Sequence, residues 1–498
     1  MSLNRAFWIG IGILLLQSCS SSKMLPYAPT NKIAPEKLEK DFKVFRGVLE
    51  NFHPSIYWFT PKDSMDYYFN EAHAKLKDSL TEVEFKKILT YVIEKLHCGH
   101  TAIRYSNNYS NYLDTANIPV FPFSIKAWGD SLVVLNNLHR SDKYIKRGTI
   151  ITAIDGKSSK QLIDTFFHYL VTDGAALNGK YQQLSSRGNF GSLYKQVYGL
   201  KPSFSVQYLD ANKVEHRVEV PWYDPKLDTG VAQNRRPPAG AGQRNLPPLN
   251  GIRNLQIDTS LKTGYLTINS FAKGNSLRSF FKESFKVLDE RGIQDLVIDV
   301  RSNGGGDAGL STLLTQYIID KPFKIADTLY AVARNGEYSK HIRRFFWYRL
   351  GLLLITHKAS DGKYHFGFFE RHVYHPKTKH HFKGNIYILI GGNSFSATTI
   401  FARKVQGQSN ITLIGETTGG GAYGNSAWMI PDVKLPNSKL YFRLPLFHLV
   451  MDSDPKLLGQ GVVPDISVPF NSSQMHQAGD PRVNAVRNLI LSKRNKLN

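Results

Sequence analysis

The chain has 498 residues, 42% hydrophobic and 21% charged, a balance that excludes a disordered or collagen-like protein and predicts about three folding units. Lys and Arg total 63 against 40 Asp and Glu, a net charge of +23, which would suit nucleic acid or an anionic membrane. The basic residues are scattered, and no zinc-finger or RNA-recognition signature accompanies them, so nucleic acid is excluded as a partner.

Arg5 precedes an apolar run, residues 6–16. The run is shorter than the roughly 20 residues of a membrane-spanning helix and reads as a secretory signal. It ends in Leu16-Gln17-Ser18-Cys19, which resembles a bacterial lipobox. That resemblance implies a leader over 1–19, a lipidated Cys19, and anchorage in the cell envelope, at the periplasmic or outer membrane. Residues 20–34 form a tether, and the second cysteine, Cys98, is left without a disulfide partner.

Leu38, Phe42, Phe45, Leu49 and Phe52 recur at spacings of four and three, predicting an amphipathic helix. A second helix opens with a Thr81/Glu84 capping box and presents Phe85, Ile88, Leu89, Val92 and Leu96 on one side before Gly99. These make a helical N-terminal domain, 35–112. From Pro119 the pattern turns to short strands, and Ile145-Lys-Arg-Gly148 through Asp155-Gly156-Lys157 resembles the core of a PDZ domain. A PDZ-like β domain is assigned to 118–222, decorated because 161–202 is longer than the usual helix and hairpin. A Pro- and Gly-rich linker, 223–260, follows. Alternating strand and helix then argue for an α/β core over 261–475, closed by a C-terminal helix, 476–498.

Three constellations could carry chemistry. Strand 386–390 runs into Gly391-Gly-Asn-Ser394-Phe-Ser396 and a helix, placing a serine where unpaired backbone N–H groups would stabilise an oxyanion. Local sequence leaves Ser394 and Ser396 as equal candidates. Asp299-Val-Arg-Ser-Asn303-Gly304-Gly305-Gly306 follows an apolar strand; its glycines let backbone amides approach a reacting group, and it lacks the Lys and Ser/Thr of a P-loop. The basic stretch 340–381, rich in His and aromatics with an apolar centre at 350–355, has no His-Glu-x-x-His or paired Cys. It therefore predicts no metal but a segment packed beside the active site or resting on an anionic lipid surface.

Asp-x-Arg-x-Asn-x-Gly-Gly, Ser-Phe-Ser-Ala-Thr-Thr, Gly415-Glu416-Thr-Thr-Gly-Gly, the early Gly99-His100-Thr101 and the late Gly461-Val-Val-Pro-Asp465 together resemble the S41 serine peptidases, the C-terminal-processing and tricorn-like proteases. The resemblance implies an α/β, ClpP/crotonase-like catalytic core and no cofactor. It also implies a peptide or protein substrate. It assigns Ser396 as nucleophile and the backbone N–H groups of Gly305 and Ala397 as oxyanion hole. The lysine base of the C-terminal-processing branch would fall on Gly421, so the resemblance points to the tricorn-like arrangement, with His100 as base. An imidazole also has the ordinary pKa that general-base work near neutrality needs. Asp454 is the acid expected to orient it, with Asp452 and Glu416 as alternatives. The rival readings are a non-catalytic protein on the same fold, holding an apolar ligand or peptide end, and a scaffold that captures peptide C-termini through the PDZ-like domain.

Overall fold

The computed structural model describes residues 27–129, 131–186, 188–227, 249–469, 471, 474–475 and 479–495. The leader and Cys19 lie outside these. Helix Pro35–Phe52 buries Leu38, Phe42, Phe45, Leu49 and Phe52 to 4% exposure or less, on the face the spacing marked. Helix Glu82–Glu94 starts in the expected box: the Thr81 hydroxyl accepts from the Glu84 N–H, and the Glu84 carboxylate accepts from the Thr81 N–H.

The N-terminal helices do not form a separate core. Their buried face is continuous with that of a five-stranded sheet containing Thr328–Ala331, Phe447–Val450 and Gly424–Ala427. Strand Ile103–Arg104 pairs with Tyr441–Arg443 in a three-stranded sheet, Ile103 opposite Phe442. That pairing fastens the chain three residues after His100 to the C-terminal half of the molecule.

Strands Phe123–Trp128, Ser131–Asn137, Ile150–Ile154, Ser203–Leu209 and Glu215–Pro221 form an antiparallel sheet in that order. The surplus sequence between its third and fourth strands folds as helices Ser159–Phe167, Leu177–Leu184 and Asn189–Tyr198. One of these is tied to the N-terminal helices by a buried ion pair, Lys180 Nζ to Glu94 Oε1 at 2.6 Å, both residues about 5% exposed. Glu94 has a second partner in Lys95, at 2.8 Å, so Lys180→Ala removes one buried charged hydrogen bond without stranding the carboxylate. It is expected to destabilise the protein by about 2 kcal/mol, read as a lower urea midpoint with an unchanged slope.

The remaining core is a six-stranded sheet ordered Arg253–Asp258, Thr263–Ile268, Asp295–Asp299, Asn385–Ile390, Ile411–Gly415, Ile466–Ser467. The first pair is antiparallel and the rest are parallel. Residues 253–258, expected to be linker, are its edge strand: Leu255 packs on the core and every residue of the segment has a partner on 263–268. The parallel strands read as apolar runs because both faces are covered. Helices Leu277–Glu290, Ala308–Gln316 and Ala397–Val405 contribute to the core on one side, and Pro481–Asn495 covers the other. Asp299, Gly391 and Gly415 mark the carboxyl ends of adjacent strands, the edge where open α/β sheets place their ligands.

Candidate active site

Three segments meet at that edge. The turn after Asn385–Ile390 brings Ser396 to the start of helix Ala397–Val405 with φ +58° and ψ −121°. A β-carbon is disfavoured there, and holding a serine in such a conformation costs of order 1–3 kcal/mol, which the surrounding turn must supply. Strain of this kind lifts the hydroxyl clear of the strand. The two candidate serines are thereby separated. Ser394 is fully buried, its Oγ donating to Val300 O at 2.9 Å and accepting from the Gly391 N–H at 3.2 Å, whereas Ser396 is half-buried and faces an imidazole.

That imidazole is His100, whose Nε2 lies 3.0 Å from Ser396 Oγ. Phe395 packs on its ring, centroids 4.7 Å apart. A β-carbon on Gly99 would fall 2.6 Å from the Phe395 ring, which explains glycine there in physical terms. Next to the base, Thr101 Oγ1 is 2.9 Å from His53 Nε2, and burial pushes the His53 pKa down to about 3, keeping that support neutral. Cys98 is buried and burial raises its thiol pKa to about 11, so it packs and does not attack.

The carboxylate facing the base is Asp173, a residue the sequence reading did not select. Its Oδ1 lies 3.8 Å from His100 Nδ1, and both side chains are nearly inaccessible. Asp173 is held by backbone: Gly99 N–H donates to Oδ1 at 2.8 Å and Gly421 N–H to Oδ2 at 3.4 Å. The His100 Nδ1 has no hydrogen-bond partner among the described residues, and Asp173 is the acceptor within reach of it.

Asp454, the expected acid, is exposed and caps the turn Pro455–Leu457, accepting from Lys456 N–H. Its carboxylate satisfies a local turn, so the expectation is corrected to Asp173. Asp452 pairs with Arg403 at 2.5 Å and Glu416 with Arg482 at 2.5 Å. A lysine cannot enter at position 421, since a β-carbon there would stand 2.6 Å from Gly424 O.

The glycine loop also departs from expectation. Asn303 is fully buried, its Nδ2 donating to Ile268 O and its Oδ1 accepting from Gly305 N–H at 2.9 Å. The Gly305 amide predicted for the oxyanion is thus engaged by the side chain two residues earlier. Gly305 serves instead by its shape: at φ +97°, a β-carbon would fall 2.7 Å from Phe395 O and 2.8 Å from Ser396 Cβ. The Ala397 N–H, at the start of the helix, carries no hydrogen bond among the described residues and is the free donor beside Ser396. Arg301 of the same motif binds Asp299 and Asp480 at 2.6 and 2.5 Å, clamping the strand end to the C-terminal helix.

The histidines of 340–381 disperse: His380 pairs with Asp289, His381 with Asp320, and His372 stacks on Phe368. An apolar cavity of about 440 Å³, lined by Tyr105, Tyr109, Phe121, Phe123 and others, lies between the N-terminal helices and the antiparallel domain and contains none of the site residues.

Residues 262–468 match the model of peptidase family S41. No curated protein matches the chain. Among solved structures, mature CPAF superposes with a TM-score of 0.58 at 15% identity, over 88% of this chain and 94% of that one. Mature CPAF complexed with lactacystin gives 0.58 at 15%, over 93% and 98%, and a CPAF mutant 0.61 at 14%, over 88% and 94%. At these identities the likeness is one of fold, and it extends beyond the family match to nearly the whole chain. Residues 262–468, which carry Ser396 and the glycine loop, thus match peptidase family S41, and the match supports a serine-type peptidase.

Proposed function

We propose that the protein hydrolyses peptide bonds through an acyl-enzyme formed on Ser396. The observation that carries this is the 3.0 Å approach of His100 Nε2 to Ser396 Oγ, within the range for direct proton transfer. As Ser396 attacks the scissile carbonyl, His100 takes its proton. The imidazolium then faces the Asp173 carboxylate, an interaction that strengthens as charge develops. The Ala397 N–H receives the oxyanion, aided by the helix dipole. His100 returns the proton to the leaving amine, and water repeats the sequence to release the acyl group. No step needs a cofactor. An intact Ser-His pair speaks against an inert binding protein on this fold.

The antiparallel domain supports the PDZ-like reading in strand pattern, with one qualification. The Ala127 N–H on its edge strand is taken by Ser185 Oγ at 3.0 Å, which obstructs strand addition along that stretch. Its inserted helices carry a second duty, since the loop before Leu177–Leu184 delivers Asp173 to His100. The Leu16-Gln17-Ser18-Cys19 sequence supports a lipid tether and hence a site at the cell envelope.

A fluorophosphonate probe is expected to label Ser396, located by peptide mapping, and His100→Ala should slow that labelling by about 10²-fold or more. An adduct elsewhere, or labelling at the parental rate in His100→Ala, would refute the proposal.

A further inference from the structure

Helix Phe345–Ile355 breaks the rules the other helices obey. Phe346, Trp347, Leu350, Leu353 and Leu354 follow at steps of one, three, three and one, which places them on one face. That face is open to solvent: their exposures are 68, 67, 39, 48 and 76%. The opposite side is anchored, with Leu352 fully buried and Phe345, Tyr348 and Ile355 packed on the core. A contiguous exposed apolar stripe marks an interaction site.

The charges around it say what covers it. From 338 to 360 the sequence has Lys340, Arg343, Arg344, Arg349 and Lys358 and no acidic residue, and all five basic residues are exposed. Lys340, Arg344, Arg349 and Lys358 form no ion pair among the described residues. Arg343 faces Asp432 at 3.8 Å, but Arg344 stands at the helix N-terminus, where the dipole disfavours cations; an anionic surface would relieve that conflict. A second copy of the chain would bring arginines against arginines, because a two-fold contact pairs a patch with itself.

We propose that this helix is a membrane-docking element, lying in the headgroup region of an anionic bilayer with Phe346, Trp347, Leu350, Leu353 and Leu354 inserted and the flanking basic side chains on lipid phosphates. It stands independently of the catalytic reading. A tether at Cys19 would hold the enzyme near the bilayer, and this helix would fix which face turns toward it.

The test uses the full chain carrying Cys19→Ser, so that no attached lipid contributes, and vesicles of phosphatidylcholine with or without phosphatidylglycerol. The parent should bind the phosphatidylglycerol vesicles, and the Trp347 emission, isolated by difference from Trp347→Phe, should shift to the blue. The triple variant Phe346→Ser, Trp347→Ser, Leu354→Ser should lose about 10²-fold in affinity while cleaving soluble peptides at the parental rate. Leu354→Ser alone, at the most exposed position, should weaken binding in the same direction, and serves where the triple variant does not fold. Arg344→Gln with Arg349→Gln should lower affinity only for the anionic vesicles. Undiminished vesicle binding by the serine variants would overturn the proposal. So would a halved sedimentation mass in those variants without loss of vesicle binding, which would make the stripe an interface between copies.

Discussion

Replacing Ser396 with alanine is expected to reduce kcat by about 10⁶-fold, the scale seen when the nucleophile of a serine hydrolase is removed. KM should stay close to the parental value, because the side chain is half-buried and supports no other part of the site. Ser394→Ala should behave in the opposite way. It would leave the Gly391 N–H without its acceptor in a fully buried turn, while Val300 O keeps the Asn303 N–H, at a cost of about 1–3 kcal/mol in stability, with residual activity in the fraction that folds. Measuring kcat and the urea midpoint for both variants separates a nucleophile from a turn-forming hydroxyl. A Ser396→Ala enzyme that retained turnover would remove the acyl-enzyme from the mechanism.

Asp173→Asn carries the second large effect. Asparagine can still accept from Gly99 N–H, so the loop should keep its place, but the carboxylate that faces His100 Nδ1 is lost. A comparable change in a serine protease triad lowers kcat by about 10⁴-fold, and an effect on that scale is expected here, in kcat and not in KM. The 3.8 Å separation is beyond a hydrogen bond, and such contacts tighten when the substrate is bound. Asp454→Asn is the control: an exposed cap removed from the surface should alter activity little and stability by about 0.5 kcal/mol or less. Should Asp454→Asn be the damaging substitution, the acid would have been assigned to the wrong residue.

Why Asp173 was hidden has a physical answer. A nucleophile announces itself locally, because the strand, the tight turn and the following helix that strain a serine are contiguous in sequence. His100 was legible for a related reason: it follows, by a short turn, a helix with a visible capping box and apolar stripe, beside a glycine that the Phe395 ring requires. An orienting carboxylate needs only to reach one ring nitrogen, and any loop the fold delivers will serve. Asp173 arrives from inserted helices in the antiparallel domain, held by the Lys180–Glu94 pair and by Gly99 and Gly421 amides. The single signal was the surplus length between 161 and 202.

The oxyanion loop makes the same point at shorter range. Three successive glycines show that the backbone must approach something closely, and Gly305 does approach Ser396. Which amide is free to donate depends on where the Asn303 side chain turns, and it turns onto Gly305 N–H, so a rotamer decided what composition could not. Likewise residues 253–258 lack a strong apolar pattern because an edge strand has only one neighbour to satisfy, and pairing with 263–268 appears only once the sheet is assembled.

Periodicity and turn chemistry in the sequence determined the helices that lead to His100, the strand and turn that carry Ser396, and the α/β order of the core, since each depends on residues within a turn or two of one another. Tertiary structure decided the partner of the imidazole, the donor left for the oxyanion and the exposure of the stripe on Phe345–Ile355. Those depend on which distant surfaces meet, and an apolar helix face reads the same in sequence whether a core or a bilayer covers it.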